Sequence, residues 1–418
     1  MCIPLSSVAQ VYILALGPRV PLALYSSTLA RSALNNYCYE VTIMYQKLIK
    51  GRGSIARIGT LTEKINMRKP LIVAVEPVLS HLIRKAPELS DRPVFSDFHP
   101  NPDFADCIRG AEIYCESGCD GLIAIGGGST LDTAKGIKAI LCAGNAENAK
   151  QGLLDETRMI PVIAIPATAG TGAEATPFAA LYEDGIKFSL AHAMLRPDGV
   201  VLDSELLDTL PEYQKKSCAM DALAQGIESW WAVGATEDSR VHAYLAILGV
   251  LDNLRGYLTG DTHAADEMME AAYQSGQAIA ISKTTAAHAM SYRLTSLMGK
   301  AHGHACMLTL PILWEDMLAD EKNLPMLREL ASVMRLGDPL MAPRLLRGIL
   351  YSLELAPVEM PTEEVLDELA GSVNAERMGN HPVELTQRQI KTVYRRAFSR
   401  PTEAEKQACL DIWEYYGR

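Results

Sequence analysis

The stretch Ile123–Gly136, IAIGGGSTLDTAKG, joins an apolar run to a helical pattern through three consecutive glycines. The apolar residues before the glycines predict a buried strand, and the three-and-four spacing of apolar residues after them predicts a helix. Glycines at such a junction allow the backbone to approach a phosphate, and the free N–H groups of a helix N-terminus favour an anion. The stretch therefore predicts a strand–turn–helix unit of an α/β domain.

Two familiar phosphate-binding motifs do not fit this turn. Leu131 stands where a Rossmann fingerprint has its third glycine, and Lys135 lies seven residues after Gly128, whereas a P-loop has its lysine directly after a glycine. Taken alone, a glycine turn is often purely structural. A second turn, PATAGTGAEAT (Pro166–Thr176), also follows an apolar strand, and two such turns together favour a cradle for one pyrophosphate.

Strand and helix patterns alternate from about Tyr45 to Pro211, whereas helical periodicity dominates after about Asp203. The alternation predicts a parallel sheet covered on both faces. The predicted strands are Leu71–Pro77, Pro93–Phe98, Gly121–Gly128 and Pro161–Thr168. We predict an N-terminal extension over residues 1–44, a Rossmann-like dinucleotide-binding α/β domain over 45–205 and an all-helical metal-binding domain over 206–418. The cleft between the two domains is the default site.

Composition excludes several classes of protein. The net charge of −11 argues against a general nucleic-acid binder, which needs a basic face. No run of apolar residues is long enough to predict a membrane span. The nine cysteines form no C-x-x-C pair, which favours reduced thiols inside the cell, and we expect a cytoplasmic protein. Residues 1–39 contain no acidic side chain, so an organelle transit peptide, a disordered extension and a start codon assigned too early all stay open.

Four motifs in one order resemble the iron-containing (group III) alcohol dehydrogenases. They lie between about Gly51 and Pro311, and they are GGGSTLDTAKG, PATAGTGAEAT, MDALAQGIES and AAHAMSYRLTSLMGKAHGHACMLTLP. The resemblance implies an NAD(P)-dependent dehydrogenase in which an α/β domain precedes a helical domain that holds a divalent metal.

The resemblance implies that Asp221, His288 and His302 bind the metal. The family has a further histidine four residues after the aspartate, but Gln225 stands there in this sequence. Three alternatives follow: Gln225 ligates through its carbonyl oxygen, a water replaces it, or the metal binds too weakly for stable loading. The donor set suits Fe²⁺ or Zn²⁺ and does not distinguish between them.

The resemblance also implies contacts with the cofactor. The matching positions are Asn101, Gly127, Gly128, Ser129, Asp132, Thr168, Thr171 and Lys187. Glu76 ends a predicted strand, where a carboxylate either binds a ribose diol or caps the next helix. Because this carboxylate would repel a 2′-phosphate, NAD is favoured over NADP.

The chemistry implied is hydride transfer between nicotinamide and a small aldehyde or alcohol, with the metal as Lewis acid. We predict that Tyr292 lines the substrate pocket and that the proton passes through His304, water or a cofactor hydroxyl. The motif wording is similar to phosphonoacetaldehyde reductases, a branch of the family. Because a phosphonate needs cationic partners, Arg293 and Lys300 are candidate substrate residues, although each also suits an ordinary surface position.

Other functions stay open at this point. The chain is also compatible with a dehydrogenase of simple short-chain alcohols or diols. Outside that class, a dehydroquinate synthase-like lyase or an inactive nucleotide-binding protein with a degraded metal site remains. Net consumption of NADH with an aldehyde distinguishes the reductase from both of the latter. Because members of the family often form dimers or larger assemblies, the resemblance implies a homodimer or a larger homo-oligomer.

Overall fold

The computed structural model describes residues 46–357 and 359–416 of the chain. The predicted extension over residues 1–44, with its transit-peptide-like composition, lies outside the described residues. Among the described helices, none combines the length and the apolar character that crossing a membrane requires.

Six strands form one parallel sheet in the order β1-β8-β5-β4-β2-β3. Their bounds are β1 (Lys47–Lys50), β2 (Pro70–Ala74), β3 (Val94–Phe95), β4 (Gly121–Gly126), β5 (Val162–Pro166) and β8 (Gly199–Leu202). Two further strands, β6 (Phe178–Glu183) and β7 (Ile186–Ala191), form an antiparallel hairpin. The predicted parallel sheet is confirmed.

Helices cover this sheet on both faces. They are α1 (Ile58–Lys64), α2 (Val78–Lys85), α3 (Phe104–Glu116), α4 (Gly128–Ala143) and α5 (Ala146–Lys150). Alternate residues of β4 serve different cores: Leu122 and Ala124 belong to one apolar cluster, and Ile123 and Ile125 to another. Since both faces are buried, the strands are continuously apolar in sequence, which explains why they were recognisable.

The strand order reverses beside β2. From β2 the chain passes to the edge strand β3, then returns to the other side of β2 with β4 and continues outward through β5 and β8. A ligand in an open parallel sheet binds outside the carboxyl ends of the strands at such a reversal. The segments after β2 and β4 therefore meet at the position where a dinucleotide is expected.

The chain after β8 contains only helices among its described regular elements, as predicted. They are α6 (Glu212–Trp231), α7 (Glu237–Leu258), α8 (Thr262–Ser282), α9 (Ala286–Met298), α10 (His302–Leu318), α11 (Leu324–Val333), α12 (Met341–Ser352), α13 (Glu363–Gly371), α14 (Ala375–Met378), α15 (Gln387–Ala397) and α16 (Glu403–Tyr415). One large apolar cluster joins most of them. The domain boundary between residues 205 and 206 stays a prediction.

Candidate active site

Four side chains from three helices surround one point. Asp221 lies in the middle of α6, His288 begins α9, and His302 and Cys306 lie one turn apart at the start of α10. One potential ligand atom from each lies within 4.8 Å of all the others. Asp221, His288 and Cys306 are buried, whereas His302 is partly exposed.

Hydrogen bonds orient both imidazole rings so that Nε2 faces this point. The carboxylate of Glu228 accepts from Nδ1 of His288 and also accepts from the backbone N–H of Thr285 and Ala287. Ser291 Oγ lies 3.2 Å from His302 Nδ1 and donates its own proton to a backbone carbonyl, so it accepts from the ring. With Nδ1 donating in each ring, the lone pair of Nε2 is left for a cation.

The atoms at the centre lack hydrogen-bond donors. Asp221 Oδ1 and His288 Nε2 face each other at 3.4 Å, yet both are buried without a hydrogen-bond partner among the described residues. Although burial opposes it, His302 and His288 lower the pKa of the Asp221 carboxyl. Two buried electron-pair donors facing each other are costly unless a cation lies between them. The donor set therefore fits a divalent metal such as Fe²⁺ or Zn²⁺.

A glycine allows α10 to approach α6 this closely. A Cβ atom added to Gly303 would lie 2.1 Å from the carbonyl oxygen of Ser217 and 2.6 Å from Cβ of Asp221. A larger residue at 303 would therefore push His302 away from Asp221.

Gln225 requires a correction to the sequence-based expectation. Its amide nitrogen donates to the Thr171 carbonyl oxygen at 3.1 Å, and its carbonyl oxygen accepts from Ser275 Oγ at 2.8 Å. Gln225 thus ties α6 to the second glycine turn and to α8. Both polar atoms of its amide thus have partners outside the cluster, which favours the alternatives in which Gln225 does not bind the metal.

The two glycine turns begin side by side. Gly126 at the end of β4 is paired with Pro166 at the end of β5, and a Cβ atom added to Gly128 would lie 3.1 Å from the Thr171 side chain. Gly127 precedes the first turn of α4, and its added Cβ would lie 3.6 Å from Thr168. The structure thus brings together most of the predicted pyrophosphate cradle.

The remaining predicted cofactor residues lie around this cradle. Ser129 is in the first turn of α4, and Asn101 is exposed in the loop before α3. Asp132 accepts from the backbone N–H of Ala180 at 3.0 Å and so holds the β6–β7 hairpin against α4. Glu76 is exposed after β2, and its carboxylate accepts from the N–H of Ser80, as the capping alternative expected.

Lys187, from β7, lies beside the four-residue cluster. Its Nζ atom is 3.6 Å from the centre of the Tyr292 ring, and that ring stacks on His302 with centroids 5.8 Å apart. Burial lowers the pKa of Lys187 to about 8, and the charge of Arg377 contributes to the same shift. Neither Lys187 nor Arg377 forms an ion pair with a carboxylate within the described part of the chain.

His304 does not face the cluster, which corrects its predicted catalytic role. Its Nδ1 lies 3.0 Å from the Tyr213 hydroxyl, and its Nε2 lies 2.7 Å from the carbonyl oxygen of Leu355. Burial, aided by the charge of Lys300, lowers the pKa of His304 to about 4. Both ring nitrogens are therefore engaged in holding helices together.

Of the two cations predicted for the substrate, Arg293 differs from expectation. Arg293 points away from the cluster toward α13, where its Nε donates to Glu368 at 2.9 Å. A half-exposed ion pair of this kind is an ordinary surface feature. Lys300 lies in the turn between α9 and α10, where its charge acts on His304. Its role in binding substrate stays a prediction.

Sequence reasoning missed Cys306, Glu228, Gly303 and Arg377. A signal existed for Cys306, because it follows His302 by four residues, the same spacing that linked Asp221 and position 225. Arg377 belongs to the short helix α14, and no motif marks it.

A cavity lies elsewhere, among the C-terminal helices. A space of about 810 Å³ between α10, α12, α15 and α16 is lined by residues such as Arg344, Arg347 and Pro401. None of the residues that line this cavity belongs to the four-residue cluster or to the glycine turns, so its size does not identify it as the reaction site.

Comparisons with known proteins agree with this geometry. Residues 46–204 match the model of the iron-containing alcohol dehydrogenases, and residues 216–398 match the C-terminal model of the same family. The chain is 34% identical over 281 residues to a phosphonoacetaldehyde reductase of Streptomyces viridochromogenes, covering 63% of this chain and 71% of that protein. It is 29% identical over 274 residues to an NAD-dependent methanol dehydrogenase of Bacillus methanolicus, covering 62% and 71%.

Solved structures give the same result. The sulfoacetaldehyde reductase from Bifidobacterium kashiwanohense, solved in complex with NAD⁺, superposes with a TM-score of 0.74 at 26% identity. The match covers 85% of this chain and 97% of that one. The predicted fold and the predicted enzyme class are therefore confirmed. The chain belongs to the iron-containing alcohol dehydrogenase family and is an oxidoreductase.

Proposed function

We propose that this protein reduces a short aldehyde that carries an acidic group, namely phosphonoacetaldehyde to 2-hydroxyethylphosphonate, with NADH and a divalent metal, Fe²⁺ or Zn²⁺. The observation that carries the substrate class is a pair of cations, Lys187 over the Tyr292 ring beside the four-residue cluster and Arg377, whose charge acts on Lys187. Neither cation has a carboxylate partner among the described residues. Two relatives named for phosphonoacetaldehyde and sulfoacetaldehyde support the same class.

Each part of the site has a defined task in this proposal. Asp221, His288 and His302 hold the metal, and the glycine turns at Gly128 and Thr171 bind the pyrophosphate of the cofactor. A divalent ion would polarise the aldehyde oxygen and NADH would supply the hydride. The protein's own contribution is to hold the carbonyl carbon at the nicotinamide and to keep water out of the cleft.

The head group of the substrate is held by charge. Tyr292 forms one wall, since its ring is parallel to His302 on one side and lies under Lys187. Arg377 packs over the Phe178 ring, 5.7 Å from its centre, and its charge reaches both Lys187 and Tyr292. A guanidinium and an ammonium from two elements, with the charge of one acting on the other, suit a phosphonate, whose oxygens accept several charged hydrogen bonds. A neutral aldehyde would leave both cations without a partner.

The test compares substrates across matched arginine variants. We expect Arg377→Gln to raise KM for phosphonoacetaldehyde by about 10- to 100-fold, since one charged hydrogen bond is worth about 1.5–3 kcal/mol. The same variant should change KM for propionaldehyde by less than about twofold. Arg293→Gln is the control, because Arg293 is paired with Glu368 on the surface, and it should leave both constants unchanged.

Two results would count against the proposal. Equal losses for both aldehydes in Arg377→Gln would show that Arg377 supports the fold and not the head group. Turnover of neutral aldehydes without turnover of the phosphonate by the unmodified protein would retain the dehydrogenase and exclude this substrate class. Oxidation of NADH, followed by its absorbance, measures each of these reactions.

A further inference from the structure

The fourth position around the metal cluster is occupied by a thiol. Cys306 is fully buried, and its Sγ atom lies 3.8 Å from His302 Nε2. The Sγ atom also lies within 4.8 Å of the ligand atoms of Asp221 and His288. Because His302 and Cys306 are one helical turn apart, both side chains project from the same face of α10.

The alternative fourth ligand already has other partners. Gln225 stands where the resemblance to the family implies a histidine, but both polar atoms of its amide are used by Thr171 and Ser275. Reorienting the amide to bind a metal would break these hydrogen bonds, each worth about 0.5–1.5 kcal/mol. Within the described part of the chain, the hydrogen-bond contact of Cys306 Sγ is with His302 Nε2, which is itself a proposed ligand.

We infer that the thiolate of Cys306 binds the metal. The metal site of this protein is then built from one carboxylate, two imidazoles and one thiolate, while Gln225 hydrogen-bonds to Thr171 and Ser275. The inference rests on the proposed metal-dependent function, and it concerns the ligand set and not the substrate. Asp221 Oδ1 and His288 Nε2 support a metal at this position independently, because both are buried without a hydrogen-bond partner among the described residues and both lie within 4.8 Å of Sγ.

A thiolate ligand has chemical consequences. Sulfur is a softer donor than an imidazole nitrogen or an amide oxygen, so it favours zinc or cobalt over magnesium or calcium. Two anionic ligands also neutralise the charge of a divalent ion, whereas one carboxylate with imidazoles does not. We therefore expect this centre to prefer Zn²⁺ more strongly than a centre with three histidines would.

Cobalt substitution tests the inference without relying on activity. Co²⁺ bound to a thiolate shows an intense near-ultraviolet charge-transfer absorption that carboxylate and imidazole ligands do not produce. We expect this band in the unmodified protein on addition of one equivalent of Co²⁺, and we expect Zn²⁺ to remove it by displacement. Cobalt that binds without the band would overturn thiolate ligation while leaving the proposed function intact. A protein that binds no Co²⁺, Zn²⁺ or Fe²⁺ would overturn both.

Three variants complete the experiment. Cys306→Ser should lose the band and bind Zn²⁺ at least about tenfold more weakly, in line with the loss of a metal contact. Cys107→Ser is the matched control, since Cys107 is also fully buried but belongs to the α/β core, and it should retain both properties. Gln225→Leu, which removes the amide at similar volume, should retain the band. A band or a zinc affinity that depends on Gln225 and not on Cys306 would refute the inference.

Discussion

Glu228 offers a sharp test of how the site is organised, because it touches a proposed ligand without lying at the metal position. Its carboxylate is fully buried and accepts from Nδ1 of His288. It also accepts from the N–H of Thr285 at 3.1 Å, the hydroxyl of Thr285 at 2.6 Å and the N–H of Ala287 at 2.9 Å. We consider the substitution Glu228→Gln, which preserves the shape and removes one acceptor oxygen.

The effect follows from counting donors. In the glutamine variant the remaining oxygen stays with Thr285 and Ala287, since four donors, including the backbone N–H of His288, converge there. The new NH₂ group then faces the His288 ring. His288 must then accept at Nδ1 and carry its proton on Nε2, which removes the lone pair that points at Asp221 Oδ1. Loss of such a supporting contact typically weakens metal binding by about 10- to 100-fold. That range corresponds to about 1.4–2.8 kcal/mol.

The assay is competition for Zn²⁺ against a chromophoric chelator, with thermal unfolding of the metal-free protein measured in parallel. Glu174→Gln is the control, because Glu174 is also buried, lies in the second glycine turn and has its pKa raised by burial to about 7. Its amide variant keeps the shape of the side chain at a position outside the four-residue cluster and should bind Zn²⁺ normally. If Glu228→Gln bound Zn²⁺ within about twofold of the unmodified protein, the assigned proton on His288 would be wrong.

Two further predictions follow from the charge and packing around the cleft. Because burial lowers the pKa of Lys187 to about 8, its positive charge is present below that pH and lost above it. The kcat/KM for sulfoacetaldehyde, whose charge is constant, should therefore fall above about pH 8 more than the kcat/KM for a neutral aldehyde. The substitution Lys187→Arg should remove this difference. Parallel pH profiles for the two substrates would show that Lys187 does not bind the acidic group. Gly276→Ala would place a Cβ atom 2.3 Å from the carbonyl oxygen of Gly172, where α8 meets the second glycine turn. Chemical denaturation of Gly276→Ala should show a loss of about 1–3 kcal/mol in the free energy of unfolding. The control Gly337→Ala, which has open space around the added Cβ atom, should show little change. Equal stabilities of the two variants would contradict the close contact at Gly276.

The sheet was predictable to the extent that its strands are buried on both faces. The runs that became β2, β4 and β5 are continuously apolar, and their bounds differ from the prediction by few residues. Strands β1, KLIK, and β7, IKFSLA, escaped notice because polar residues interrupt their apolar ones. The apolar residues of β6, FAALYE, were not recognised as a strand. The hairpin matters, since it carries Lys187.

The metal ligands were predictable, because motif spacing and family resemblance marked them. The residues expected to bind the substrate were harder to predict. Asp221, His288 and His302 were named from motifs, and the structure brings these three together with Cys306. Arg293 and Lys300 were chosen for their nearness in sequence to the histidines. On a helix, however, neighbours in sequence point about 100° apart, so Arg293 faces Glu368 while Tyr292 faces the cluster.

The sequence by itself determined the family, the α/β-then-helical order and the segments that contribute ligands, because these depend on local periodicity and on motifs. The oligomeric state stays a prediction from the family habit. Tertiary structure decided which atoms within those segments converge. It turned Gln225 toward Thr171 and Ser275, placed Cys306 Sγ beside the histidines, and brought Arg377 from a distant helix toward Lys187. The physical reason is that the packing of helices against each other determines which side chains come into contact, and spacing along the chain does not. Gly303, for example, allows α10 to approach α6 closely enough for His302 to lie near Asp221.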